Sequence, residues 1–186
     1  MKKHIITLSG YPGSGKSSTG NALAKELGYT RFSSGDFMRN LAQERGLSLD
    51  EFTLLANNDP SIDNLIDEQV RKAGELERLV IDSRLAYYWI PEAFKVFLSL
   101  DLHIAAERIF SHIQKDGRVG QDDNSVEEVY KNTVARVESE RMRYKKLYGL
   151  AYDDANNYDL VVDTGSNNLE EVVAIILKAY KKWEEQ

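Results

Sequence analysis

Residues 9–18, SGYPGSGKSS, constrain the fold of this chain more than any other stretch. Gly10, four residues, then Gly15-Lys16-Ser17 meets the P-loop template in full. The chemistry explains the spacing. Glycines permit a tight loop whose backbone N–H groups point inward at phosphate oxygens. The lysine adds a compact positive charge toward the β- and γ-phosphates, and the hydroxyl after it is a magnesium ligand. The flanks support the match. His4-Ile5-Ile6-Thr7-Leu8 is a short β-branched apolar run suited to a buried parallel strand. Residues 18–27 put Ala22, Leu23 and Leu27 on one helical face, and Gly28 stands where a C-terminal cap belongs. Strand, glycine loop and helix in that order set an anion at a helix N-terminus. An ordinary glycine-rich turn is the weaker reading.

Composition narrows the class. A length of 186 residues suits one domain, 1–186, able to bury a core without staples. The chain has no cysteine, which excludes disulfides and thiolate metal sites and suits a reducing cytoplasm. The apolar run behind Met1-Lys2-Lys3 is too short for a signal peptide, and residues 172–177 fall far short of a membrane span. A net charge of −6 argues against bulk nucleic-acid binding and favours small phosphorylated ligands held by local arginines.

Strands and helices alternate along the chain. Strands are expected at 29–33, 79–82, 96–100 and 158–162 besides the first. Helices are expected at 35–45, from Ser48, at 61–74, at 103–115, from Ser125 to about Tyr148, and from Asn168. Ser48-Leu49-Asp50-Glu51 and Ser125-Val126-Glu127-Glu128 read as capping boxes. Ile104, Ile109 and Ile113 mark the apolar face of the helix at 103–115, and residues 116–124 read as a mobile polar loop. Five apolar strands separated by helices imply an α/β three-layer sandwich, a five-stranded parallel sheet flanked by helices. Ligands then lie beyond the strand C-terminal ends, at Ser9, Ser34, Asp82-Ser83-Arg84, Asp101 and Thr164.

Several residues can carry chemistry there. Asp82 ends an apolar strand, where a carboxylate reaches the shell of a magnesium ion held by Ser17. Arg84 and Arg39 stand at separate strand ends and suit capture of a second phosphate. Arg136 and Arg143 are seven residues apart on one helix, so they share a face at a separation of roughly 10.5 Å; Arg141 points away from it. The Arg136–Glu140 spacing is also that of a routine surface pair, and from the helix alone that bland reading prevails. The three histidines show no metal-ligand spacing. Residues 85–89, LAYYW, read most simply as packing.

The stretches SGYPGSGKSS, FSSGDFMRNLAQERGLSLDEF, NNDPSIDNLIDEQ, VIDSRLA, AAERI, ESERMRYKKLYGL and YDLVVDT span nearly the whole chain. Together they resemble the nucleoside monophosphate kinases, and specifically the short cytidylate kinases typical of archaea. The resemblance implies phosphoryl transfer from ATP to CMP or dCMP with Mg²⁺, with small-molecule nucleotides as the partners, in a cytoplasmic monomer that binds neither nucleic acid nor membrane. It assigns ATP to Gly10, Tyr11, Pro12, Gly13, Ser14, Gly15, Lys16, Ser17 and Ser18, with Arg108 against the adenine. Ser34, Gly35, Arg39, Asp63 and Arg84 would line the acceptor site. Lys16, Arg39, Arg84, Arg136 and Arg143 would act on the phosphates, and Ser17 and Asp82 on the metal. Residues 35–75 would form an NMP-binding helical region and 110–140 a lid. The chain departs from the family in carrying Ser83 where a glycine is usual. Its lid segment is also longer and more polar, with His112 and Lys115 where a further arginine is usual. Two other readings stay open: a P-loop kinase for AMP, UMP or a non-nucleotide acceptor, and a silent ATP-binding regulator. A GTPase is disfavoured because no Asn-Lys-x-Asp sequence occurs. A nucleic-acid kinase would need a basic groove that the acidic balance does not offer.

Overall fold

In a computed structural model, residues 2–116 and 125–186 are described, except for the side chains of Leu49, Asp50, Asn57 and Asp116. The loop expected beyond Asp116 lies outside them. Five strands form one wholly parallel sheet: β1 (Ile5–Gly10), β2 (Thr30–Ser33), β3 (Leu79–Asp82), β4 (Phe94–Ser99) and β5 (Leu160–Asp163), in the order β2-β3-β1-β4-β5. The central strand is therefore the one that feeds the glycine loop. Its alternation sorts the core. Ile6 and Leu8 face a cluster with Leu23, Val96, Leu98, Val162, Val172 and Ile176, formed by α1 (Lys16–Leu27) and α8 (Leu169–Glu184). Ile5 faces the opposite side, with Leu79, Ile81, Val70 from α4 (Pro60–Ala73) and Ala86 from the short α5 (Ala86–Trp89). Burying both faces accounts for strands that read as continuous apolar runs.

The remaining helices are α2 (Ser34–Glu44), α3 (Leu49–Asn58), α6 (Leu102–Asp116) and α7 (Val126–Tyr148). Local chemistry fixes their starts. Ser33, Ser48, Asp59, Ser125 and Asn168 each accept a backbone N–H from the first turn that follows, and Asp101 Oδ1 accepts from the N–H groups of His103 and Ile104. Gly28 and Gly149 close α1 and α7 in left-handed geometry. Most expected boundaries agree to one or two residues. Two expectations need correction. The buried face of α6 is made by Ala105 and Ala106, both fully buried, while Ile104 is exposed; small residues let the helix approach the glycine loop closely. The last strand begins two residues later than expected, because a 3₁₀ turn at Ala155–Asn157 precedes it.

Candidate functional site

The glycine loop joins β1 to α1 and is held by steric fit. A Cβ on Gly10, at φ 145°, would stand 2.3 Å from the Leu98 carbonyl oxygen of β4. One on Gly13, at φ 72°, would stand 2.9 Å from the Ala105 carbonyl of α6. The helix the loop opens is unlike the other helices of ten residues or more. Gly15 gives α1 no side-chain cap, and its first turn carries no acidic residue. Helices α2, α3, α4, α6, α7 and α8 are all capped by a side chain. The uncapped N–H groups of α1 and its positive dipole end are thus left to an exogenous anion. Inside the loop, the Ser14 hydroxyl is buried without a hydrogen-bond partner. Lys16 Nζ donates to the carbonyls of Gly10 at 3.1 Å and Tyr11 at 2.8 Å.

Beside the loop stands an oxygen pair that suits a hard cation. Ser17 Oγ donates to Asp82 Oδ2 over 3.3 Å, and Asp82 is buried at the end of β3. A hydroxyl and a carboxylate are the donors Mg²⁺ accepts from protein when phosphates and water complete its shell. No cluster of three acidic or histidine side chains elsewhere among the described residues could hold a metal on its own. Arg31 of β2 braces this corner. Its Nη2 donates to Asp82 Oδ2 at 3.2 Å and its Nη1 to Asp36 Oδ2 at 3.0 Å, and Asp36 also pairs with Arg39. Ser34 Oγ donates to the Asp82 carbonyl, tying the start of α2 to β3. A chain of polar contacts therefore runs from Ser17 to Arg39, and the sequence reading missed its central link, Arg31. Gly20 makes room for that link: a Cβ there would come within 3.1 Å of Arg31 Nε.

The long helix α7 closes the site from the other side. Arg136 Nε donates to Glu140 Oε1 at 3.1 Å, and Arg84 Nε donates to Glu140 Oε2 at 2.8 Å. Glu140 is only 6 % exposed, which corrects the reading of Arg136–Glu140 as a surface pair. Burial pushes the Glu140 carboxyl up, but Arg84 and Arg136 pull harder and leave it at about 2. The Arg84 guanidinium is raised in return: burial opposes its charge, and Glu140 more than offsets that. Lys16 belongs to the same cluster. Burial and Arg84 lower it to about 7 against the support of Asp82 and Glu140. With Arg31 on Asp82, six charged groups, four cationic and two anionic, thus meet where β1 and β3 end.

Arg143 faces α4 instead, 3.3 Å from Asp63 Oδ2, with both side chains largely buried. So Arg136 and Arg143 share a face of the helix but hold different partners. Arg141 does point away from them, yet it reaches the loop. Its Nε donates to Asp153 Oδ2 at 2.7 Å, and Tyr11 Oη donates to the same oxygen at 3.2 Å. Arg108 Nη2 donates to the Thr164 carbonyl at 2.7 Å, fixing the side chain at the end of β5. It lines a cleft of about 330 Å³ along α6 with Ile104, Glu107, Ser111, His112 and Lys115. Tyr87 is buried and Trp89 packs against Tyr148, as the packing reading of 85–89 requires, whereas Tyr88 is exposed.

Fold and site define a P-loop phosphotransferase: a parallel sheet, a glycine loop on an uncapped helix, and cations gathered at the strand ends. Comparison with known proteins narrows the class. The model of the cytidylate kinase-like family matches residues 5–166. A cytidylate kinase of Methanocella arvoryzae is 40% identical over 94% of this chain and 95% of its own, and one of Methanothrix thermoacetophila is 36% identical over 95% and 98%. The shikimate kinase of Bacteroides thetaiotaomicron shares the fold at a TM-score of 0.65 and 15% identity, over 94% of this chain and 96% of its own. The chain belongs to the cytidylate kinase-like family, and it is a kinase of the ATP-dependent, nucleoside monophosphate-phosphorylating class. Among the described residues no helix is long and apolar enough to cross a membrane.

Proposed function

We propose that the enzyme transfers the γ-phosphoryl group of ATP to the phosphate of CMP or dCMP, giving ADP and CDP or dCDP. The observation that carries this reading is the meeting of Lys16, Arg84 and Arg136 beside the uncapped start of α1, with Arg39 held a short polar relay away. In-line transfer between two phosphates needs positioning and charge neutralisation rather than a covalent nucleophile. In this reading the loop from Gly10 to Ser18 and the dipole of α1 grip the donor phosphates, with Arg108 beside the adenine. Ser34, Gly35, Arg39 and Arg84 take the acceptor phosphate, and Arg136 and Lys16 meet charge on the transferring group. Asp63 would meet the acceptor's base or sugar, and Arg143, expected on the phosphates, pairs with Asp63 on α4. Ser17 and Asp82 would hold Mg²⁺, which supplies charge neutralisation at the donor phosphates when bound. The cytidine base is supported by relatives named cytidylate kinases across nearly the whole chain. A monomer in the cytoplasm acting on free nucleotides fits the same reading.

A coupled ADP-release assay with ATP, Mg²⁺ and CMP, dCMP, UMP or AMP tests it. Turnover should depend on an acceptor and favour CMP or dCMP. Lys16→Ala should lose transfer by about two orders of magnitude or more while remaining folded. Preference for AMP or UMP would overturn the base assignment, and ATP turnover indifferent to every acceptor would overturn the kinase reading.

A further inference from the structure

Among the described residues Glu140 is the one carboxylate that touches two of the arginines assigned to the phosphates. The two bonds divide its oxygens: Oε2 takes Arg84 Nε at 2.8 Å and Oε1 takes Arg136 Nε at 3.1 Å. Both use Nε, so the paired Nη groups, the fork that grips phosphate oxygens in parallel, are not engaged by the carboxylate. The arginines come from different elements, Arg84 from the turn after β3 and Arg136 from α7. Glu140 is thus a bridge between the sheet edge and the closing helix, as well as a ligand within one helix. The Tyr152 ring lies 6.0 Å from the Arg84 guanidinium and is itself fully buried, which limits the directions that guanidinium can turn.

We propose that Glu140 is a positioning residue for phosphoryl transfer: its carboxylate holds Arg84 and Arg136 side by side by their Nε atoms and aims both guanidinium forks at one phosphoryl group. The physical need is plain. The largely buried Arg84, the half-exposed Arg136 and Lys16 carry like charge and repel one another, and unbridged they would swing apart between turnovers. A carboxylate among them offsets that repulsion, and it stays ionised far below neutral pH. Phosphate then meets forks already set in place, which is how electrostatic preorganisation lowers a barrier. A buried carboxylate that bonded one arginine would serve stability alone; one shared between two elements also fixes their relative geometry. The inference rests on the kinase reading above, since it gives these arginines their phosphate partner.

Glu140→Gln is the direct test. The amide is the same size but replaces one carboxylate oxygen by an NH₂ group that cannot accept, so in this geometry one of the two Nε–H groups loses its partner. With ¹⁵N-labelled arginine, the Nε–H signals of Arg84 and Arg136 are assigned through their loss in Arg84→Lys and Arg136→Lys. In Glu140→Gln at least one of them should lose its exchange protection. kcat should fall roughly tenfold to hundredfold while the KM for ATP stays within about threefold. Glu140→Asp keeps the charge on a shorter arm, and its kcat should fall between those of wild type and Glu140→Gln. It also serves as the reporter if Glu140→Gln does not fold. Wild-type kcat in either folded variant, or kcat retained while an Nε–H signal is lost, overturns the proposal. The Nε–H signals report the bridge in the absence of turnover. A wild-type protein that shows the bridge but phosphorylates no acceptor therefore refutes the kinase reading by itself.

Discussion

Asp63 shows how far one side chain's setting can depart from its type. It is 5 % exposed on α4, and burial pushes its carboxyl up to about 6 although Arg143 pulls the other way; Asp67 and Glu140 add to the rise. The folded carboxyl therefore binds its proton more tightly than the unfolded one. Between pH about 4 and 6 the folded state holds the extra proton, so this group makes stability fall as pH rises, with no further change above. Other carboxylates, such as Asp36 and Glu140, are held low and tilt the curve the opposite way at lower pH. The informative quantity is thus the difference between wild type and Asp63→Asn in urea unfolding at pH 4.5, 5.5 and 7. The variant should gain stability relative to wild type across that range; a constant difference would show that Asp63 titrates normally. The same scale explains what the sequence left hidden. The buried stripe of α7 runs Val129, Thr133, Val137, Glu140, Tyr144, at spacings of four, four, three and four. Glu140 falls in register with it, so periodicity held the signal that this glutamate is buried. A charged residue at an apolar position reads as a surface pair until Arg84, fifty-six residues away, is seen to meet it. Arg31 gave no such signal: its place beside Asp82 depends on strand pairing that no local pattern reveals.

At the scale of the element, the glycine loop was legible almost completely because its geometry is dictated within ten residues. What the sequence could not tell was which glycine meets which neighbour. Gly10 and Gly13 are wedged against the backbones of β4 and α6, while a Cβ on Gly15 would meet nothing within 4 Å despite its φ of 80°. Alanine at Gly15 carries only the left-handed backbone penalty, roughly 1–2 kcal/mol. At Gly10 and Gly13 the backbone collision adds to it. Melting temperatures should therefore fall in the order Gly15→Ala, then Gly13→Ala, then Gly10→Ala, the last losing most. Equal losses at all three would mean that torsion alone governs the loop. Long helices with sequence-readable caps were predicted well, since Ser48, Ser125 and Asn168 announce their own starts. The face of α6 was misread in part: Ala105 makes the tight approach to the loop and Ile104 is exposed, while Ile109 and Ile113 are half-buried.

Over the whole molecule the apolar groups divide in a way that sets the proposed acceptor side apart. Ala42, Phe52, Ala56, Ile62 and Ile66, from α2, α3 and α4, form a cluster that includes no strand residue. The sheet and α8 keep their own core around Ile6, Val96 and Ile176. Helices α2 and α3 and the first half of α4 therefore rest on a separate small core, while Val70 and Ala73 tie the end of α4 to the sheet; Arg143–Asp63 and a 2.5 Å bond from Tyr148 Oη to Asp67 link the group to α7. Loosening that core should disturb the acceptor and spare the donor. Phe52 is fully buried, and Phe52→Ala removes contacts that typically stabilise by about 3–5 kcal/mol. The expected result is a rise of about tenfold in acceptor KM, equivalent to roughly 1.4 kcal/mol, with the KM for ATP within about twofold. Hydrogen exchange should quicken within 34–66 and remain slow in β1 and β4. Ile176→Val offers the contrast: a loss of about 1 kcal/mol from the sheet core should lower the melting temperature and leave both KM values in place. Parallel rises in both KM values after Phe52→Ala would instead mean that the two cores act as one, and that donor and acceptor sites share a single rigid frame.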